Sequence, residues 1–176
     1  YVQYAGTQIA VAYSPSSKYA ADFAAIASGK KPICDLFPIM EKKGFLLGRT
    51  DPNTDPQGRS FIYMIELATT YCHLPSNTVT KILGSPLASS SSPQVFAETS
   101  LLAHLQAGQL DASSAYAAEA KQMHLHYILL PPAINLGDPC LVTLPVIVIE
   151  ALWYWLAIAG SPLAIVMTII GKPTSA

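Results

Sequence analysis

The chain reads as an α/β domain, a mostly parallel sheet flanked by helices. Three observations predict this. Short β-rich apolar runs alternate with Ala- and Leu-rich helical segments from Thr7 to Leu130, the pattern of strands joined by crossover helices. With 51% hydrophobic and only 12% charged residues over 176 positions, the chain can bury one sizeable core. A polar, turn-rich loop from Gly48 to Arg59 lies between an apolar strand-like run and a helix-like run. Open α/β sheets keep ligand sites at such places, beyond the carboxyl ends of strands.

The elements follow in order. Thr7–Tyr13 (TQIAVAY) is short, apolar and rich in β-formers, so it predicts a strand ended by Ser14-Pro15. Lys18–Ser28 is Ala-rich and predicts a helix stopped by Gly29. Pro32–Glu41 predicts a short helical turn broken at Pro38. Phe45–Gly48 predicts a buried strand that runs into the polar loop. Gly58 to about His73 predicts a helix on the spacing of Phe61, Ile62, Met64, Ile65 and Ala68. Ser76–Leu83 predicts another, with Ser76 or Asn77 as cap. Gly84–Pro93 predicts a loop, with a mobile serine run at Ser89–Ser92. Glu98–Gln106 predicts an amphipathic helix closed by Gly108. Leu110–Ala115 then predicts a strand, Ala117–Met123 a helix, and Tyr127–Leu130 a strand ended by Pro131-Pro132.

Composition excludes several function classes. The formal charge is −1, and the ten Lys and Arg are dispersed; no basic run supports nucleic-acid binding. The three cysteines, Cys34, Cys72 and Cys140, are odd in number and widely spaced. No CxxC occurs, so neither a zinc site nor a disulfide framework is expected, and buried free thiols are the reading. His124 and His126 have a metal-like spacing without an evident third ligand, so both are read as structural or exposed. No catalytic triad order, nucleophile elbow, P-loop or dinucleotide fingerprint is present, and the chain is read as not an enzyme. Tyr1–Tyr4 has no basic n-region or apolar h-region, so no signal peptide is read there.

The loop Gly48-Arg49-Thr50-Asp51-Pro52-Asn53-Thr54-Asp55-Pro56-Gln57-Gly58-Arg59 carries the candidate site. By chemistry alone two readings stand level. One is a surface turn with Asp51 or Asp55 as a helix cap. The other is a ligand loop whose free helix N–H groups, at Gln57 and Gly58, face an anion. Arg49 and Arg59 are read as solvated surface arginines, although either would add positive potential.

The tail changes character. From Leu141 to Ile170 the one charged residue is Glu150, and Trp153, Tyr154 and Trp155 cluster near one end. That length and aromatic content fit a transmembrane helix. The run Val146–Ile149 fits a pair of buried strands equally well.

The polar loop also resembles the segment that opens the second-lobe helix in molybdate/tungstate-binding proteins of ABC transporters. These are extracytoplasmic solute-binding proteins with a two-lobed, type II periplasmic-binding-protein fold. Three further segments resemble the same family in order: TQIAVAYSPSSKYA, ETSLLAHLQAGQLDASSAY and LHYILLPPAINLGDP. The resemblance covers roughly Tyr1 to Pro139. It implies that residues 1–13 form a crossover strand from a first lobe mostly outside this chain. Residues 14–139 would form the second lobe. Residues 140–176 do not match the family's return to the first lobe. They are left as a hydrophobic tail: a membrane anchor, a fusion junction or a shifted frame.

The resemblance also implies a ligand set. Asp55 and Glu98 match the family's two carboxylates, which reach the molybdenum or tungsten of the bound oxyanion. Tyr116 matches a tyrosine near the ligand, and Gln57 and Gly58 would present backbone N–H groups. Where the family places an acidic residue just before that tyrosine, Ala115 stands here. Apart from the resemblance, Glu98 is explained as an acid in a helix's first turn, and Tyr116 as a half-buried aromatic at a strand end. The implied function is capture of molybdate or tungstate, with no cofactor, for delivery to an ABC permease outside the cytoplasm. Membrane association would run through residues 141–170. The alternatives are the effector-binding domain of a transcription regulator with the same lobe fold, or a membrane-anchored fragment that binds no ligand.

Overall fold

The computed structural model describes residues 8–87 and 92–137. The predicted hydrophobic tail and most of the serine run lie outside them. Among the described residues, no helix is long and apolar enough to cross a membrane.

Four strands form one sheet in the order β2-β3-β1-β4. They are β1 (Ile9–Tyr13), β2 (Leu47–Gly48), β3 (Ala112–Tyr116) and β4 (His126–Leu129). β1 lies between β3 and β4, so all five of its residues are buried, which explains its unbroken apolar sequence. β2 and β3 are parallel, with Leu47 opposite Ala112. β1 runs antiparallel to both its neighbours, pairing Val11 with Ser114 and with Ile128. Thus β2, β3 and β4 share a direction and β1 opposes them, which corrects the mostly parallel sheet expected from the sequence. Alternation fixes direction only where one helix joins two strands. Two helical pieces separate β1 from β2, so alternation does not set their relative direction.

The helices are α1 (Ala20–Ala27), α2 (Leu36–Met40), α3 (Pro56–Tyr71), α4 (Thr78–Leu83), α5 (Glu98–Gln106) and α6 (Ala117–Gln122). They cover both faces of the sheet. Val11, Tyr13, Leu47, Ala112 and Ile128 pack with Phe23, Phe37, Phe61, Ile65 and Leu83 from α1–α4. Ala12 and Ala115 face the other way, onto Leu101, Leu102 and Leu105 of α5 and Ala120 of α6. The two-residue period of the strands separates these cores.

Local chemistry sets the helix boundaries. Gly29 takes φ 74° after α1, the left-handed conformation that closes a helix at low cost. Pro38 does not break the segment after Pro32: Ile33–Asp35 makes a 3₁₀ turn, and α2 runs through Pro38. Pro38 is the third residue of α2, in the first turn, where an N–H has no intrahelical partner to lose. α3 begins at Pro56, two residues before the expected start at Gly58, because Asp55 caps it and Pro56 takes the first position.

Two side-chain expectations are overturned. Cys34 and Cys72 are joined in a disulfide with Cα atoms 5.5 Å apart, so they are not free thiols. The bond fastens the 3₁₀ turn before α2 to the C-terminal end of α3. Arg49 is not a solvated surface residue: it is 0% exposed. Its Nη2 donates to the Ser85 carbonyl at 3.3 Å, while Nε and Nη1 have no hydrogen-bond partner.

Candidate functional site

The site is built where β2 ends. Arg49 N donates to Gln94 O at 2.8 Å, and Phe96 N donates to Arg49 O at 2.9 Å. This parallel bridge, Arg49 to Val95, lays the approach to α5 alongside β2. α3 and α5 therefore start at the same edge of the sheet, beside the carboxyl end of β3. That is the side on which open α/β sheets bind ligands.

The polar loop is tied down internally. Asp51 Oδ1 accepts from Asn53 N at 2.9 Å, and Asp51 O accepts from Asp55 N at 2.8 Å. Arg59 spans the loop, donating from Nε and Nη2 to Pro52 O at 3.3 and 3.2 Å. Gly58 lies against the loop backbone. A Cβ there would overlap the Thr50 carbonyl and come within 3.0 Å of Pro52 N, so only glycine permits this approach.

Each residue singled out from the sequence has a definite place. Asp55 is the N-cap of α3, and its Oδ1 accepts from Gln57 N at 2.7 Å. The Gln57 N–H is thus engaged within the protein. Gly58 is buried in the first turn of α3 against Thr50. Glu98 is the first residue of α5, and its side chain is exposed. Tyr116 ends β3 half-buried. Of the histidines, His126 lies on β4 with its ring tilted against that of Tyr13, centroids 5.6 Å apart. His124 is exposed. No group of three metal-binding side chains occurs among the described residues.

The electrostatics link these positions. Burial raises the Tyr116 pKa above its ordinary 10, and a hydrogen bond with Ser60 opposes that rise. The carboxylates of Asp55, Glu98 and Glu119 each push it further up. Three acids from three different helices therefore act on one phenol. Its hydroxyl stays protonated and available as a donor at neutral pH. Arg49 shows the reverse effect: burial lowers its pKa, and Asp51 partly restores it.

Two residues of the candidate site escaped the sequence reading. One is Glu119, in the first turn of α6. The other is the side chain of Gln57, since the sequence pointed to its backbone. Gln57 Nε2 donates to Glu119 Oε2 at 3.1 Å, and Ser114 Oγ donates to Gln57 Oε1 at 3.0 Å. The signal was a glutamine beside the start of an apolar helix face. Asp111 forms a further polar anchor before β3. It accepts from Ser17 Oγ at 2.5 Å and from Leu46 N at 2.9 Å. It fastens the start of β2, the end remote from the site.

A four-strand sheet covered by helices on both faces fits a lobe of a solute-binding protein. The chain matches the family model of bacterial extracellular solute-binding proteins over residues 1–170 and belongs to that family. The match extends past Pro139, where the resemblance read from the sequence stops. Among similar curated proteins, one of Haloferax volcanii named as an ABC transporter molybdenum-binding protein is 31% identical over 139 residues. The alignment covers 79% of this chain and 41% of that protein. The molybdate/tungstate-binding proteins WtpA of Thermococcus kodakarensis and Pyrococcus abyssi are 29% and 28% identical over 153 residues. Each alignment covers 78% of this chain, and 42% and 43% of those proteins. The chain thus spans about two-fifths of the length of these relatives.

Proposed function

We propose that the complete protein captures molybdate or tungstate outside the cytoplasm and presents it to an ABC permease, without catalysing a reaction. What supports this reading is that Asp55 and Glu98, at the starts of α3 and α5, both act electrostatically on Tyr116 at the end of β3. The names of the relatives favour the same ligands. The disulfide between Cys34 and Cys72 favours an oxidising compartment over the cytoplasmic setting of a transcription regulator.

The chemistry distinguishes among anions. A carboxylate beside a dianion is repelled, by roughly 4 kcal/mol for unit charges at 4 Å and an effective dielectric of 20. That sign reverses where the carboxylate oxygen reaches a high-valent metal centre that accepts extra ligands. Molybdate and tungstate offer such a centre and sulfate does not. Asp55 and Glu98 would bind the metal from this lobe, and Tyr116 would donate its O–H to an oxo group.

Isothermal titration of the complete protein with tungstate, molybdate and sulfate tests this. Binding of the first two, lost in Asp55→Asn and Glu98→Gln, is expected. Sulfate binding as tight as that of tungstate, or full affinity in both variants, overturns it.

A further inference from the structure

We propose that the Gln57 side-chain amide is the positioning group of this cleft, fixing Asp55 against Tyr116 by tying α3, β3 and α6 at one point. The inference rests on the ligand reading above and adds two side chains to it, those of Gln57 and Glu119.

Gln57 is 1% exposed and Ser114 is 0% exposed. A buried primary amide is costly unless both its ends are satisfied. Here they are, and by groups from two other elements. Oε1 accepts from Ser114 Oγ on β3 at 3.0 Å, and Nε2 donates to Glu119 Oε2 on α6 at 3.1 Å. The amide plane can meet both partners only in one orientation. Each anchor is a short step along the chain from a ligand residue. Asp55 stands two residues before Gln57, Tyr116 two after Ser114, and Glu119 three after Tyr116. The backbone at Gln57 also holds Asp55 directly, through the 2.7 Å bond to its carboxylate. One residue therefore holds the acid that caps α3 through its N–H, and through its side chain grips β3 two residues before the phenol and α6 three residues after it.

An apolar residue of similar size at position 57 would fill the same space and keep the N–H. It would leave Ser114 and Glu119 without their shared partner, so the starts of α3 and α6 would lose their common register. Small displacements of binding groups cost affinity steeply.

The test uses Gln57→Leu, Glu119→Ala, Glu119→Gln and the Gln57→Leu/Glu119→Ala pair in the complete protein, titrated with tungstate at a temperature where each is folded. Gln57→Leu and Glu119→Ala should each weaken binding about tenfold or more, and the pair no further than the weaker single variant. Glu119→Gln retains an oxygen acceptor for Nε2 and should recover affinity relative to Glu119→Ala. Wild-type affinity in folded Gln57→Leu overturns the inference while the ligand reading stands. So does an additive loss in the pair, which would show that the two residues act apart. A wild-type protein that binds no tungstate overturns the ligand reading itself.

Discussion

Asp55 caps α3, and on the ligand reading proposed above it would meet the oxyanion with the same carboxylate; chemistry separates the two roles. Its Oδ1 accepts from Gln57 N, a task that asparagine performs about as well as aspartate. Alanine cannot, and losing such a cap costs about 1 kcal/mol. Asp55→Asn should therefore unfold in urea like the wild type, and Asp55→Ala should be about 1 kcal/mol less stable. Both should lose tungstate affinity, because neither offers an anionic oxygen. Strong binding by Asp55→Asn would show that Asp55 is only a cap. Tyr116 yields a pH prediction. Burial raises its pKa first, then Asp55, Glu98 and Glu119, against the opposing hydrogen bond to Ser60. A folded-state pKa above the unfolded value contributes stability that is complete below pH 10 and lost as pH rises through the folded pKa. Tyr13, raised by burial, has the same sign. Stability measured by urea unfolding should thus fall above pH 10. Tyr116→Phe should remove part of that fall, and an unchanged alkaline profile would contradict the assignment.

At the scale of elements, α3 was legible because Phe61, Met64, Ile65 and Ala68 recur at helical spacing and all prove buried. Its start was less so, since Asp55-Pro56 reads equally as a turn. The disulfide was illegible for a physical reason. Cys34 and Cys72 lie 38 residues apart in sequence, and only packing of the turn before α2 against the end of α3 brings them within reach. Arg49 was illegible in the same way, because nothing local buries an arginine at the end of a strand. In the chain-entropy view, closing a loop of this length removes about 4 kcal/mol of unfolded-state freedom. Cys34→Ala/Cys72→Ala, or the reduced protein, should therefore be about 2–4 kcal/mol less stable to urea. The ligand edge should feel little of this while the protein stays folded. Cys72 caps the C-terminal end of a helix of 16 residues whose N-terminus bears Asp55. At 1.5 Å per residue the two ends are roughly 24 Å apart. A stability loss with unchanged tungstate affinity is the expected pair of results, and no loss at all would show that the bond contributes nothing to folding.

The whole molecule decides what this lobe can do. Asp55, Glu98 and Tyr116 were singled out by the family resemblance and not by the order of elements, although each stands where a strand or extended segment gives way to a helix. Glu119 was hidden, since its role depends on Gln57 reaching across from α3. The charge at that edge then sets a limit. Three carboxylates act on one phenol, and Arg59 is occupied with the Pro52 carbonyl. A dianion meeting this surface alone encounters repulsion that the Tyr116 hydroxyl and the helix N-termini of α3 and α5 only partly offset. On the reading proposed above, further donors must come from a second lobe that closes over the ion by hinge motion. The relatives, of which this chain spans about two-fifths, are long enough to hold one. The segment alone should therefore bind tungstate at least about a hundredfold more weakly than the complete protein, a difference of roughly 2.7 kcal/mol. Titration of both, with circular dichroism to verify that the segment is folded, measures this directly. Submicromolar affinity in the segment would mean that one lobe satisfies the oxyanion by itself, and closure would then serve delivery to the permease instead of capture.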